Sequence, residues 1–155
     1  MKAPKIYMRD TGILHSLLQL RGMAELESHP KLGASWEGFA LEQALGMLAT
    51  RDAYFWATHA GAELDLFVRL GGKQYGFEFN YADAPGASRS MHVAIQDLSL
   101  EHLWVVYPGR DEYRLQEKIS VIPIDSLPRI ADLLLSRRPS AANRSTGGEP
   151  ASGVQ

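Results

Sequence analysis

Two alternating segments flank a Gly-Gly pair. They read Gly61-Ala62-Glu63-Leu64-Asp65-Leu66-Phe67-Val68, then Gly71-Gly72, then Tyr75-Gly76-Phe77-Glu78-Phe79-Asn80. Acidic and apolar residues alternating around two glycines predict a β-hairpin. With Gly71-Gly72 as the turn, facing positions sum to 143, so Asp65 is expected opposite Glu78 and Glu63 opposite Asn80. Facing carboxylates repel. A chain that keeps such a pair binds a cation there, shares a proton, or leaves both groups solvated. Residues two apart on a strand share a face. Glu63 and Asp65 are therefore expected on one face and Leu64 and Leu66 on the other, with Glu78 and Asn80 set against Phe77 and Phe79 in the same way.

Glu37 supplies a third acid. Ser35 is expected to cap a helix from Trp36 to Thr50. At 100° per residue, Leu41, Ala44 and Leu48 fall within about 40° of Glu37, whereas Glu42 projects about 140° away, toward the surface. A carboxylate on an apolar stripe is costly unless paired, metal-bound or protonated. If this helix covers the polar side of the hairpin, Asp65, Glu78 and Glu37 form an oxygen-rich site suited to Mg²⁺ or Mn²⁺, with Asp65 and Glu78 as the ligands. Such an ion generates hydroxide and stabilises a phosphodiester transition state. The histidines His15, His29, His59, His92 and His102 lack metal-ligand spacing. Trp36, Trp56 and Trp104 are expected in the core, and Arg89, Arg110 and Arg114 are scattered rather than clustered.

These groups need elements to position them. Lys5 to Arg9 reads as a short strand, and Asp10 or Thr11 caps a helix through Leu20. Tyr54 to Thr58 is an aromatic-rich strand ahead of the hairpin. Ser88 to Leu98 is a helix with Met91, Ala94, Ile95 and Leu98 on one face. Leu103 to Tyr107 is an almost wholly apolar run, the mark of a strand buried on both faces. Ile119 to Ile124 is a last strand, and Pro128 lies in the first turn of a helix ending at Leu135. The order helix, strand, hairpin, helix, strand predicts an α/β sandwich with a mixed sheet.

Composition narrows the chemistry. The 155 residues carry a net charge of −2, so no global basic field points to nucleic acid. No cysteine is present, which excludes disulfides and thiolate metal sites. No apolar run reaches the roughly 20 residues of a membrane span, and no secretory signal follows Met1. A cytoplasmic protein with no membrane partner is expected. No Gly-x-Ser-x-Gly elbow occurs. Beyond Arg137 the chain is rich in Ser, Ala, Gly and Pro, and cannot bury enough surface to offset its ordering entropy. The expected organisation is a strand-helix extension over 1–33, a core over 34–136 and a disordered tail over 137–155.

The order of a helix Glu, then Asp65, then Glu78-Phe79-Asn80 resembles the PD-(D/E)XK nuclease superfamily. Its motif is an acid on one strand, Glu-x-Lys on the next, and a Glu on the first core helix. Three segments more closely resemble a domain of unknown function found at the C-terminus of prokaryotic AAA-type ATPases. They are Lys5-Ile6-Tyr7-Met8-Arg9-Asp10-Thr11-Gly12, then His29-Pro30-Lys31-Leu32-Gly33-Ala34-Ser35-Trp36-Glu37-Gly38-Phe39, then Gly61-Ala62-Glu63-Leu64-Asp65. The resemblance covers Ala3 to Leu127.

It implies a restriction-endonuclease-like sandwich, with a mixed central sheet flanked by helices. It makes Asp65, Glu78 and Asn80 the catalytic positions, with Glu37 an accessory acid. Asn80 stands where the superfamily has lysine, and its neutral amide cannot supply positive charge to a developing phosphorane. Lys73 is about 20 Å away along an extended strand and is no substitute. The implied site is a degenerate metal-dependent nuclease. The family's domain normally follows an ATPase module, yet no Gly-x-x-x-x-Gly-Lys-Ser/Thr loop occurs here. No nucleotide site is expected in the chain, which reads as a freestanding or truncated C-terminal piece. The implied partners are an AAA-type ATPase, a second copy of the chain, or nucleic acid. A non-catalytic interaction module and an active nuclease that tolerates Asn80 are the alternative readings.

Overall fold

A computed structural model of the chain describes residues 32–137. The expected strand and helix over 5–20, and the expected tail beyond Arg137, lie outside the described residues. Helix α1 spans Leu32–Leu48. The chain is already helical at Leu32, so Ser35 is not its cap. Ser35 lies inside the helix and is buried with Gly38, Leu41, Ala44 and Leu48. Packing of this small-residue face overrides the capping preference of serine.

From Leu66 to the turn the hairpin forms at the expected register. Strand β1 covers Ala53–Ala57, β2 Glu63–Leu70 and β3 Lys73–Phe79. Gly71 and Gly72 have φ of 59° and 77°, which a two-residue turn of this hand requires and glycine adopts without strain. Antiparallel pairs run from Leu66↔Phe77 to Leu70↔Lys73, each summing to 143. The expected pairs Asp65–Glu78 and Glu63–Asn80 are not part of the ladder, and Asn80 falls just after β3.

Helix α2, Arg89–Asp97, follows. The Ser88 hydroxyl caps it, accepting the Met91 N–H at 3.2 Å. Strand β4, His102–Tyr107, pairs parallel to β3 and is buried from Leu103 to Tyr107. A short polar strand β5, Tyr113–Gln116, turns back into β6, Ile119–Pro123, which pairs parallel to β4. The sequence reading missed β5, whose four residues alternate between half-buried and exposed at the sheet edge. A 3-10 turn at Ile124–Ser126 leads into α3, Leu127–Ser136, with proline in its first turn.

The result is a six-stranded mixed sheet in the order β1-β2-β3-β4-β6-β5. Leu66, Val68, Phe77, Phe79, Trp104 and Val106 pack on one face with α1 and α3. Leu64, Phe67, Leu103, Val105 and Val121 pack on the other with α2. Trp104 is buried, whereas Trp36 and Trp56 are half-buried against these cores.

Candidate functional site

Leu64 and Leu66 do not share a face as strict alternation predicts; they enter opposite cores. The cause is local. Tyr54 pairs with Phe67, but Trp56 pairs with Leu64. Phe55 alone therefore faces two residues, Asp65 and Leu66, and the extra one is a β-bulge. A bulge reverses the in-out order of side chains and bends the strand. The acidic position of the motif sits in this irregularity.

The bulge places the Asp65 carboxylate in the seam between β2 and β3. Beyond Leu66↔Phe77, the Phe79 N–H donates to Asp65 Oδ2 at 3.1 Å. A side chain thus takes a donor that points at the neighbouring strand. Asp65 is only 8% exposed, so this bond offsets part of the cost of burying a carboxylate. Asn80, directly after β3, donates its N–H to the Val106 carbonyl at 3.0 Å and extends the parallel ladder. Its amide side chain is half-buried.

Glu78 lies between Phe77 and Phe79, which both face the α1 side. Alternation assigns Glu78 to the α2 side, where it is half-buried. Glu37 is half-buried on α1, in line with the buried Leu41, Ala44 and Leu48. The start of α1 lies over the end of β3: the Trp36 and Tyr81 rings are 5.9 Å apart, and a Cβ on Gly33 would be 3.7 Å from that of Tyr81. Glu37, Asp65, Glu78 and Asn80 therefore lie toward one end of the sheet. The single polar side expected to hold Asp65, Glu78 and Glu37 does not form. Glu37 lies on the α1 side of the sheet, Glu78 is assigned to the α2 side, and Asp65 sits in the seam between β2 and β3. The bulge breaks the alternation on which that expectation rested. Glu37, Glu63, Asp65 and Glu78 all have interaction partners. Among the described residues, no three His, Asp or Glu side chains form a group that could hold a metal ion. Glu42, expected at the surface, is half-buried.

This end carries the carboxyl termini of the parallel strands, where open α/β sheets place their ligands. An open groove there is lined by Tyr81, Ala82, Asp83, Pro108 and Gly109. Its walls are braced. The Tyr107 hydroxyl donates to the Asp111 carbonyl at 2.8 Å and accepts the Asp111 N–H at 2.9 Å. The Tyr113 hydroxyl donates to the Pro85 carbonyl at 3.0 Å, tying the loop after β3 to β5. Burial, then Tyr107 and Asp111, hold the Tyr113 phenol above its ordinary pKa. The sequence reading did not find this groove, because its lining comes from two loops far apart in the chain. Pro85-Gly86 and Pro108-Gly109 were the available signal.

Residues 32–127 match a family model described as a domain of unknown function, DUF4143. Such domains are typically found at the C-terminus of AAA-ATPase-like proteins. The chain is also 48% identical over 126 residues to uncharacterized proteins of Mycobacterium tuberculosis and Mycobacterium bovis. The match covers 81% of this chain but 29% of either relative. Among the described residues, no helix is long and apolar enough to cross a membrane.

Proposed function

The chain belongs to this family of domains of unknown function, and from that premise we propose that it is a PD-(D/E)XK-like domain of an AAA-type ATPase system whose metal-dependent nuclease site is degenerate. The observation that carries the reading is the seat of Asp65. It is a buried carboxylate in a strand bulge, held by the N–H of the residue after Glu78, at the end of the sheet where an open groove also lies.

Asp65 and Glu78 fit Mg²⁺ or Mn²⁺ as two hard oxygen ligands, since such ions often bind one or two carboxylates and keep several waters. Bound there, the ion supplies Lewis acidity and an activated water for phosphodiester attack. The Phe79 N–H fixes the Asp65 carboxylate. Glu37 is an accessory acid approaching from α1. Asn80 contributes a neutral amide where a cation would favour the anionic transition state. The domain therefore retains the ligands and loses most of the cleavage.

Calorimetric titration with Mn²⁺ tests the ligands: wild type is expected to bind and Asp65→Ala is not. Plasmid incubated with Mg²⁺ or Mn²⁺ tests the chemistry, with little cleavage expected from wild type and a gain from Asn80→Lys. Robust wild-type cleavage that needs Asp65 would make this an active nuclease. Absence of Mn²⁺ binding by wild type would remove the metal site.

Edge strand β1 favours a second reading, a non-catalytic module that docks on an ATPase partner or on a second copy. Tyr54 and Phe55 are each about half exposed on this strand. A clean monomer by light scattering, with no ATPase recovered in a pull-down, counts against it.

A further inference from the structure

Basic side chains collect at the opposite end of the sheet. The amino ends of β3, β4 and β6 meet there, and four cations join them. Lys73 opens β3 beside the glycine turn and pairs with Glu101 at 2.6 Å. Lys118, in the β5–β6 turn, donates to the Leu100 carbonyl at 2.9 Å. The Arg114 guanidinium is clamped on its own hairpin, with Nε donating to the Gln116 carbonyl at 3.0 Å and Nη2 to the Glu117 carbonyl. Arg137 caps the end of α3, and its charge reaches Glu101. Half-buried His102 lies among them. Its Nε2 contacts Ser120 Oγ at 3.0 Å, and its ring is 4.7 Å from that of Trp104.

We propose that Arg114, Lys118, Arg137 and His102 form a binding site for a phosphate group. The backbone bonds fix Arg114 and Lys118 in place and leave each with further N–H donors. One arginine satisfies a carboxylate, whereas several convergent cations match the charge and three free oxygens of phosphate. Glu101 is the counter-charge within reach and is engaged by Lys73; Glu117 shares the turn with Lys118. The electrostatics agree: burial first, then Arg114, hold the imidazole of His102 below its ordinary pKa, with Lys118 adding and Glu101 opposing. The charges of Lys118 and Arg137 reach Glu101 as well. A bound phosphate would add its negative charge beside Arg114, Lys118 and Arg137, with Glu101 drawn toward Lys73. The site lies away from Asp65 and Glu78 and does not depend on metal or cleavage there.

NMR of the full chain tests this through the His102 ring, its resonances identified by their loss in His102→Gln. Pyrophosphate added at constant ionic strength is expected to move them saturably and raise the pKa of His102. Replacing Arg114 and Arg137 together by Gln should weaken binding by about tenfold or more, through loss of charged hydrogen bonds. A short oligothymidylate without terminal phosphates forms the second arm. Saturation by pyrophosphate alone assigns a small phosphorylated ligand, and saturation by both assigns a nucleic-acid backbone. No saturable shift with either, or a shift that sodium chloride reproduces, overturns the proposal.

Discussion

The two ends of the sheet are built on opposite plans. At the carboxyl end the hairpin opens: β2 bulges at Asp65, a carboxylate takes a backbone donor, and long loops frame a groove. At the amino end the same hairpin closes on two glycines, and side chains stitch neighbouring strands together. The carboxylates of the proposed metal site sit at the irregular end, and the cations of the proposed phosphate site at the regular one. A net charge of −2 shows neither cluster.

The largest expected effect separates structure from chemistry at the acidic end. Asp65→Ala strands the N–H of Phe79, a residue only 4% exposed. Leaving a buried donor unsatisfied costs about 1–3 kcal/mol, readable by urea unfolding. Asp65→Asn keeps an acceptor for that N–H but removes the charge. It should recover most of the stability and none of the Mn²⁺ binding. If Asn restored both, the charge at this end would have no role and the contrast would fail.

Gly76→Ala tests whether the framework between the two ends matters by itself. A Cβ there would lie 2.8 Å from Leu100 Cδ1 and 3.1 Å from Leu64 Cδ2, on the α2 side. Both are ends of flexible side chains, so overpacking should cost about 1 kcal/mol. Mn²⁺ and pyrophosphate binding should both survive. Loss of either would mean that site depends on core packing as well as on its charged residues.

What the sequence disclosed follows the same division. The turn end of the hairpin was legible to the residue, because Gly71-Gly72 sets the register and every pair up to Leu66↔Phe77 obeys it. The open end was not. Alternation assumes an unbroken pleat, and the Asp65-Leu66 bulge carries no glycine to announce it. The mixed sheet followed from element order, and the stripe through Glu37, Leu41, Ala44 and Leu48 fixed the rotation of α1. Strand β5 and the clustering of Arg114 with Lys118 and Arg137 were hidden. They depend on which strands become neighbours, and spacing along the chain does not encode that.

At the basic end, pH gives a smaller effect with a definite sign. His102 is held below its ordinary pKa of 6.5, by burial before anything else. Between that value and the lower folded one, the unfolded chain binds more protons than the native chain. Stability should therefore fall as pH drops through that window, and His102 should contribute no slope above it. Arg114 and Lys118 add to the depression and Glu101 opposes it. Thermal melts from pH 7.5 to 5 should show this loss in wild type and a flatter profile in His102→Gln. Equal profiles would remove His102 as a sensor of this end's field.

The smallest effect belongs to the Lys73–Glu101 pair. Both side chains are about half exposed, so solvent screens their attraction. Lys73→Ala should leave the melting temperature nearly unchanged at neutral pH. Its signature is in titration: the hydrogen bond and charge of Lys73 hold Glu101 below its ordinary 4.5, with Lys118 and Arg137 helping and burial opposing. A carboxylate depressed in the folded state contributes stability above its unfolded pKa and loses it as pH falls through the folded value. The small gap between wild type and Lys73→Ala should therefore close in acid, while the Glu101 carboxyl carbon titrates at higher pH in the variant. Removing Lys73 also frees Glu101 to act on Lys118 and Arg137, so pyrophosphate should bind more weakly than to wild type. Unchanged phosphate binding with a shifted Glu101 would show that this pair belongs to the turn and takes no part in the basic site.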